Sequence, residues 1–214
     1  MLIGVDEAGR GPLAGPVCAA AVVLKKFNPI TGLADSKKLS ARARELLAPQ
    51  IREHSQAWGV GWASVEEIEC LDILRATFLA MSRAVVDCLK RIDGVNLNVV
   101  RVQVDGNHSP EKFQGPWQWP YRTETVIRGD QKVPSISAAS ILAKTERDAE
   151  MMRLHALYPA YGFDRHSGYG TVAHLAAIDR YGICPAHRKT FAPIARHLAH
   201  RLAPNLGVYR ASTP

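Results

Sequence analysis

The chain has 214 residues, 47% hydrophobic and 22% charged, a balance that supports one domain, or one with a small appendage, around a large core. Lys and Arg number 27 against 20 Asp and Glu, for a formal charge of +7, which favours a polyanionic partner, with ordinary basic solubility as the plain alternative. The uncharged stretch Gly11 to Leu24 is too short to span a bilayer and is broken by Pro12, Gly15 and Pro16; no secretory signal reads at the start, and a cytoplasmic protein is expected.

Residues 2–7 read as a buried strand that ends in the adjacent acids Asp6 and Glu7, followed by the turn Gly9-Arg10-Gly11. A second apolar strand is expected over 16–24. Residues 33–40 read as a loop, and Ser40 caps a helix over 41–54. Trp58, Val60 and Trp62 alternate with smaller residues in a strand over 56–64. Ser64 caps a long helix over 65–91, with Ile68, Leu71, Leu74, Phe78, Met81, Val85 and Leu89 on one stripe.

Residues 98–104 form a strand that ends at Asp105-Gly106-Asn107. The Pro- and Trp-rich stretch His108 to Tyr121 is a surface loop. A strand over 123–128 runs into Gly129-Asp130, and a helix starts at Ser135 or Ser137 and reaches His155. Helical stretches over 171–181 and 191–202 close the chain. No internal repeat is visible. The order of elements indicates an α/β domain with a helical C-terminal part. The four cysteines, Cys18, Cys70, Cys88 and Cys184, form no Cys-x-x-Cys pair and read as reduced structural thiols. The eight histidines show no metal-ligand spacing and read as ordinary surface or core residues.

Carboxylates recur at strand ends: Asp6 and Glu7, Asp105, and Asp130. If these strands are neighbours, the four acids converge on one sheet edge, where desolvation and repulsion demand positive charge. Two divalent cations with oxygen ligands answer that demand. Held about 4 Å apart, they activate water and stabilise the leaving oxygen of a phosphodiester. Taken singly, Asp105-Gly106-Asn107 and Gly129-Asp130 are ordinary turns; together with the acid pair they read as a metal site. Gly9-x-Gly11-x-x-Ala14, with Asp35 further on, also fits a loose dinucleotide-binding fingerprint. That motif must open a helix, and Pro12, Gly15 and Pro16 stand in the first turns.

The ordered set Val5 to Val17, Asp35-Ser36-Lys37-Lys38-Leu39, Val104 to Asn107, Gly129-Asp130, Ser137 to Lys144, Arg147-Asp148, Tyr161-Gly162-Phe163, Gly168 to Thr171 and His187-Arg188 resembles the ribonuclease HII family over nearly the whole chain. The resemblance implies a ribonuclease H-like mixed sheet flanked by helices, with a C-terminal helical extension. Residues 1–203 would form one catalytic domain and 204–214 a loose tail. It implies cleavage of RNA in RNA–DNA hybrids and nicking 5′ of single ribonucleotides in duplex DNA, leaving 3′-hydroxyl and 5′-phosphate ends. Asp6, Glu7, Asp105 and Asp130 match the family's catalytic, metal-binding carboxylates, for two Mn²⁺ or Mg²⁺ ions. Gly9, Arg10 and Gly11 match the turn that reads the 2′-hydroxyl, the one group that separates the two sugars. Tyr169 matches the tyrosine that stacks on the following deoxyribose. Lys37 and Lys144 are candidate phosphate contacts, with solvated surface charges as the alternative. Arg147 and Asp148 read as an ion-pair set with Lys144.

Many relatives have His-Lys-Gly-Tyr where this chain has His166-Ser167-Gly168-Tyr169. The serine supplies no cation, so weaker binding is expected but no loss of chemistry. Residues 191–202 read as a basic amphipathic helix, packed on the core or lying on a duplex. Some relatives bind the replication sliding clamp through a C-terminal peptide; no glutamine-led motif of that kind reads here. A monomer is expected. Three other readings stand beside this one. Ribonuclease HIII carries an N-terminal platform, for which an acid pair at residue 6 is expected to leave no room. A non-catalytic hybrid-binding protein would have lost a carboxylate. A dinucleotide oxidoreductase would show a cofactor-dependent melting shift.

Overall fold

A computed structural model describes residues 1–27, 30–33 and 39–202. Strands β1 (Leu2–Ala8), β2 (Val17–Val23), β3 (Ala57–Ala63), β4 (Arg101–Asp105) and β5 (Arg122–Val126) form one sheet in the order β3-β2-β1-β4-β5. β2 is antiparallel to β1 and to β3, whereas β1, β4 and β5 are mutually parallel neighbours. Every residue of β2 is buried, the continuous apolar run of a strand covered on both faces. The parallel ladders end at Val5–Val104 and at Asp105–Val126.

Helix α1 (Ala41–His54) starts where expected: the Ser40 hydroxyl accepts from the Ala43 amide at 3.2 Å. The single long helix expected after Ser64 is two helices, α2 (Val65–Leu71) and α3 (Ile73–Leu89). Asp72 breaks it, with φ +71 and a carboxylate that accepts from the Leu74 and Arg75 amides. A residue that satisfies two open amides of the next helix ends one helix and starts another. α3 packs on β3 and β2. The stretch over 108–121 is more than a surface loop. The rings of Phe113 and Trp117 lie 5.0 and 5.8 Å from that of Phe78 on α3, and Ser109 and Pro110 are buried.

A short helix, α4 (Gly129–Lys132), follows β5, and α5 (Pro134–Leu157) starts at Pro134 rather than at either serine. Proline suits a first helical position because its missing amide would have no partner there. α5 lies directly on β1: a Cβ on Gly4 would stand 2.3 Å from the Ser135 carbonyl carbon. Only a glycine lets the strand that carries Asp6 come this close to the helix that carries Ser140.

Contacts group the chain into two compact units, Met1–Arg10 with Pro16–Glu150, and Gly11–Gly15 with the residues from Met151 on. The first holds the sheet and a core that includes Cys18, Ala20, Val22, Ile51, Ile141 and Leu142. The second is built from α6 (Phe163–His166), α7 (Val172–Tyr181) and α8 (Ala192–Leu202). Its core includes Leu13, Met151, Phe163, Ile178 and Ile194. Fully buried Arg188 donates to the Pro12 and Gly15 carbonyls at 2.8 Å, which ties residues 11–15 to this unit. α8 is the packed alternative: Ile194 is buried, while Arg196 and His200 are exposed. The cysteines are free thiols; Cys18, Cys88 and Cys184 are buried, but Cys70 is exposed, against the expectation of four structural thiols. Among the described residues no helix is long and apolar enough to cross a membrane.

Candidate active site

Val5 pairs with Val104 across the parallel ladder, so the next residues, Asp6 and Asp105, stand side by side. Asp6 is buried, and its carboxylate accepts from the Glu7 amide at 2.7 Å. Burial holds the Asp6 carboxyl well above its ordinary range, and the charges of Glu7 and Asp105 push it in the same direction. The Ser140 hydroxyl and the Glu7 amide oppose this only in part. Asp105 Oδ1 accepts from the Gly129 amide at 2.6 Å and the Asp130 amide at 3.4 Å, capping the first turn of α4. Asp130 is therefore not a strand-end residue: β5 stops at Val126, Arg128 turns the chain with φ +56, and Asp130 lies fully buried in α4.

The chemistry of this donor set fits hard divalent ions. Every ligand atom on offer is a carboxylate oxygen, and a cation would offset the burial and the neighbouring charges that oppose ionisation of Asp6. The spacing is open: among the described residues no three of His, Cys, Asp and Glu stand together at ion-holding distance. Asp6, Glu7 and Asp105 act on one another electrostatically. Asp130 joins them through its backbone bond to Asp105.

The turn after β1 rests on Arg147. Gly9 has φ +99, and a Cβ there would lie 2.0 Å from Arg147 Nε. Arg147 is 1% exposed and donates to the Pro16 carbonyl at 3.2 Å. It is a buried buttress for the turn. Its helical spacing from Lys144 suggests an ion-pair set; only its depth under the Gly9 turn reveals the role. Lys144 does pair with Asp148, at 2.5 Å, and Arg10 with Glu7 at 3.3 Å. Gly11 and Tyr169 belong to the second unit, where a Cβ on Gly11 would meet Tyr169 Cε1 at 3.4 Å. Tyr169 is half exposed. Lys37, with Asp35, Ser36 and Lys38, lies outside the described residues. No helix opens after Gly11: the chain runs straight on to β2, against a dinucleotide-binding fingerprint.

The family model for ribonuclease HII matches residues 3–194. The ribonuclease HII of Laribacter hongkongensis is 55% identical over 196 residues, covering 92% of this chain and 93% of its own. Two solved structures have the same fold. The ribonuclease H2 of Pyrococcus horikoshii superposes with a TM-score of 0.71 at 25% identity, over 93% of this chain and 97% of its own. The Archaeoglobus fulgidus ribonuclease HII, solved in complex with PCNA, gives 0.68 at 25% identity, over 100% and 98%. A family match along nearly the whole length and a relative above half identity establish that the chain belongs to the ribonuclease HII family.

Proposed function

We propose that this endonuclease, which acts on the RNA strand of RNA–DNA hybrids as its family does, also nicks duplex DNA 5′ of a single embedded ribonucleotide, in the cytoplasm, leaving 3′-hydroxyl and 5′-phosphate ends. The observation that carries the reading is the placement of Asp6 beside Asp105, each one residue past the last pair of the parallel β1–β4 ladder, with Glu7 next to Asp6 and α4 docked on Asp105. Asp6, Glu7, Asp105 and Asp130 would hold two divalent ions, Mn²⁺ or Mg²⁺. When bound, these supply an activated water and charge stabilisation for the leaving oxygen.

The protein's own part is orientation. Asp6 is held by Ser140 and by the Glu7 amide, and Asp105 by the amides of α4, so the acids are preset for incoming charge. The Gly9–Gly11 turn brings backbone donors and acceptors near a sugar, and a 2′-hydroxyl can both give and take a hydrogen bond there. The exposed face of Tyr169 stacks on the next sugar and favours deoxyribose. Lys144, tied to Asp148, meets a phosphate only by exchanging partners. None of this reads base identity, so cleavage is independent of sequence. The Archaeoglobus relative is solved with PCNA; the chemistry proposed here needs neither a clamp nor a second copy of the chain.

The test is a labelled DNA duplex with one ribonucleotide, incubated with Mg²⁺, Mn²⁺ or chelator beside an all-DNA duplex. One metal-dependent nick 5′ of the ribonucleotide is expected, and none in the all-DNA control. Tight binding without a cut in either metal would instead favour a hybrid-binding protein that has lost its chemistry. A second expectation concerns stability. Asp6→Asn removes a buried charge set against two others yet retains an acceptor for the Glu7 amide. Metal-free Asp6→Asn should therefore gain about 1–2 kcal/mol over the parent. It should also lose cleavage and most of the Mn²⁺-induced rise in melting temperature. A metal-free variant that melts below the parent would show that Asp6 is not under electrostatic stress.

A further inference from the structure

The second unit contains a group of buried polar rings that no catalytic step above uses. His174 and His187 are both 0% exposed. Their Nε2 atoms lie 3.1 Å apart. His174 Nδ1 stands 2.9 Å from the Tyr169 carbonyl oxygen. The Cys184 amide points at His187 Nδ1 at 3.0 Å, and the Cys184 sulfur lies 3.2 Å from the same nitrogen. The rings of Phe163 and Tyr161 pack against the pair, with Phe163 at 5.5 Å from His174 and Tyr161 at 4.9 Å from His187.

These contacts fix the ring protons. An amide that points at His187 Nδ1 makes that nitrogen an acceptor, and the contact from Nδ1 to the Cys184 carbonyl is longer, at 3.3 Å. A neutral His187 then carries its proton on Nε2. Only one proton fits between two nitrogens that face each other, so His174 Nε2 accepts it. The proton of His174 is left on Nδ1, where it meets the Tyr169 carbonyl. The direction is consistent from end to end: Cys184 amide to His187, His187 to His174, His174 to Tyr169. Burial pushes the proton affinity of both rings down, that of His187 to about 4, so both stay neutral near pH 7.

His166 acts on the same turn. Its ring stacks on His174 at 4.5 Å, its Nδ1 accepts from the Gly168 amide at 3.2 Å, and its Nε2 faces the Tyr161 carbonyl at 2.8 Å. The turn needs such support. Ser167 has φ +47, a costly conformation for a side chain with a Cβ, and Gly168 has φ +81, with no room for a Cβ against the Ala14 carbonyl oxygen, 2.7 Å away.

We infer that His187 and His174 form a one-way hydrogen-bond chain that sets the backbone of Tyr169, which makes His174 a positioning residue for recognition of the RNA-to-DNA junction. The inference rests on the reading of Tyr169 as the residue that stacks on the following deoxyribose. A ring on a turn with backbone freedom would stack on either sugar; one whose carbonyl is held by a buried imidazole presents a single face. The chain also shows what the histidines do in the absence of a bound metal role: they satisfy buried backbone groups at a turn the recognition step depends on.

Two measurements test it on the full-length enzyme. Long-range ¹⁵N correlations on histidine-labelled protein report each ring tautomer. His174 should be protonated on Nδ1 and His187 on Nε2, without titration from roughly pH 6 to 8. His174 protonated on Nε2, or titrating in that range, would overturn the inference. The second is the ratio of nicking at one ribonucleotide in DNA to cutting inside a uniform RNA strand of a hybrid. His174→Leu should lower that ratio roughly tenfold, the scale of one buried hydrogen bond. His174→Asn, whose amide nitrogen sits near the place of Nδ1, should restore most of it. Equal losses on both substrates would mark a merely structural residue and sink the inference. The two failures separate. Tyr169→Ala that keeps the junction preference would overturn the reading of Tyr169, while the ring nitrogens of the unsubstituted enzyme would still decide the chain.

Discussion

Asp105→Asn should leave a folded protein that binds its hybrid and does not cut it. The carboxylate of Asp105 has two duties in the structure. Its Oδ1 accepts from the Gly129 and Asp130 amides, which holds α4 in place. It also stands beside Asp6 at the sheet edge and adds to the negative field there. Asparagine retains a carbonyl oxygen for the first duty and removes the charge needed for the second. Loss of several kcal/mol of metal-assisted stabilisation corresponds to roughly a thousandfold or more in turnover. Affinity for a hybrid in chelator should stay within about threefold, since phosphate contacts by cations dominate it. Asp130→Asn should behave alike, though its burial makes the melting temperature a necessary companion measurement. Retention of more than a tenth of the parent turnover by either variant would remove that residue from the metal-binding set.

Gly9→Ala should be the most damaging of the small substitutions in the recognition turn. The new Cβ would fall 2.0 Å from Arg147 Nε and 2.4 Å from its Cδ, in a backbone conformation with φ +99 that alanine adopts at a cost. Arg147 cannot simply swing aside, because it is 1% exposed and bonded to the Pro16 carbonyl. Displacement of a buried arginine leaves a desolvated charge without its acceptors, so a stability loss of about 2–4 kcal/mol is expected. A shift of the turn by about 1 Å would lower kcat/KM roughly a hundredfold. Gly11→Ala is the control. Its Cβ would meet Tyr169 at 3.4 Å, an ordinary contact, and its melting temperature should stay near that of the parent. Equal melting losses for the two variants would show that Arg147 does not support the turn.

The local features of this chain were legible because short-range physics sets them. Ser40 and Ser64 cap helices since a hydroxyl before an open amide turn has one favourable use. An apolar run followed by Asp6 and Glu7 reads as a strand, and the structure buries Ile3 to Val5 in β1, with both acids in its last residues. That Asp105 would stand beside them was conditional on the strands being neighbours, and the parallel pairing of β1 with β4 meets that condition.

Other features were decided by the tertiary structure. Asp72 sits inside an unbroken helical stripe, and nothing nearby in sequence announces its φ of +71. The rings of Phe113 and Trp117 look like loop residues until Phe78, more than thirty positions away, offers them a surface. Asp130 is four residues past its strand because Arg128 turns the chain into α4. The depth of Arg147, and which histidines belong to the core rather than the surface, is fixed only by the fold, since a polar side chain declares its depth only through its partners. Those partners, Pro16 for Arg147 and Tyr169 and His187 for His174, are far away in sequence or on separate elements. By itself the sequence determined the strands, the caps at Ser40 and Ser64 and the acids Asp6 and Glu7 behind an apolar run, because each depends on neighbours within a few residues. The folded chain decided which polar groups lie buried, because burial is a property of what packs across the chain.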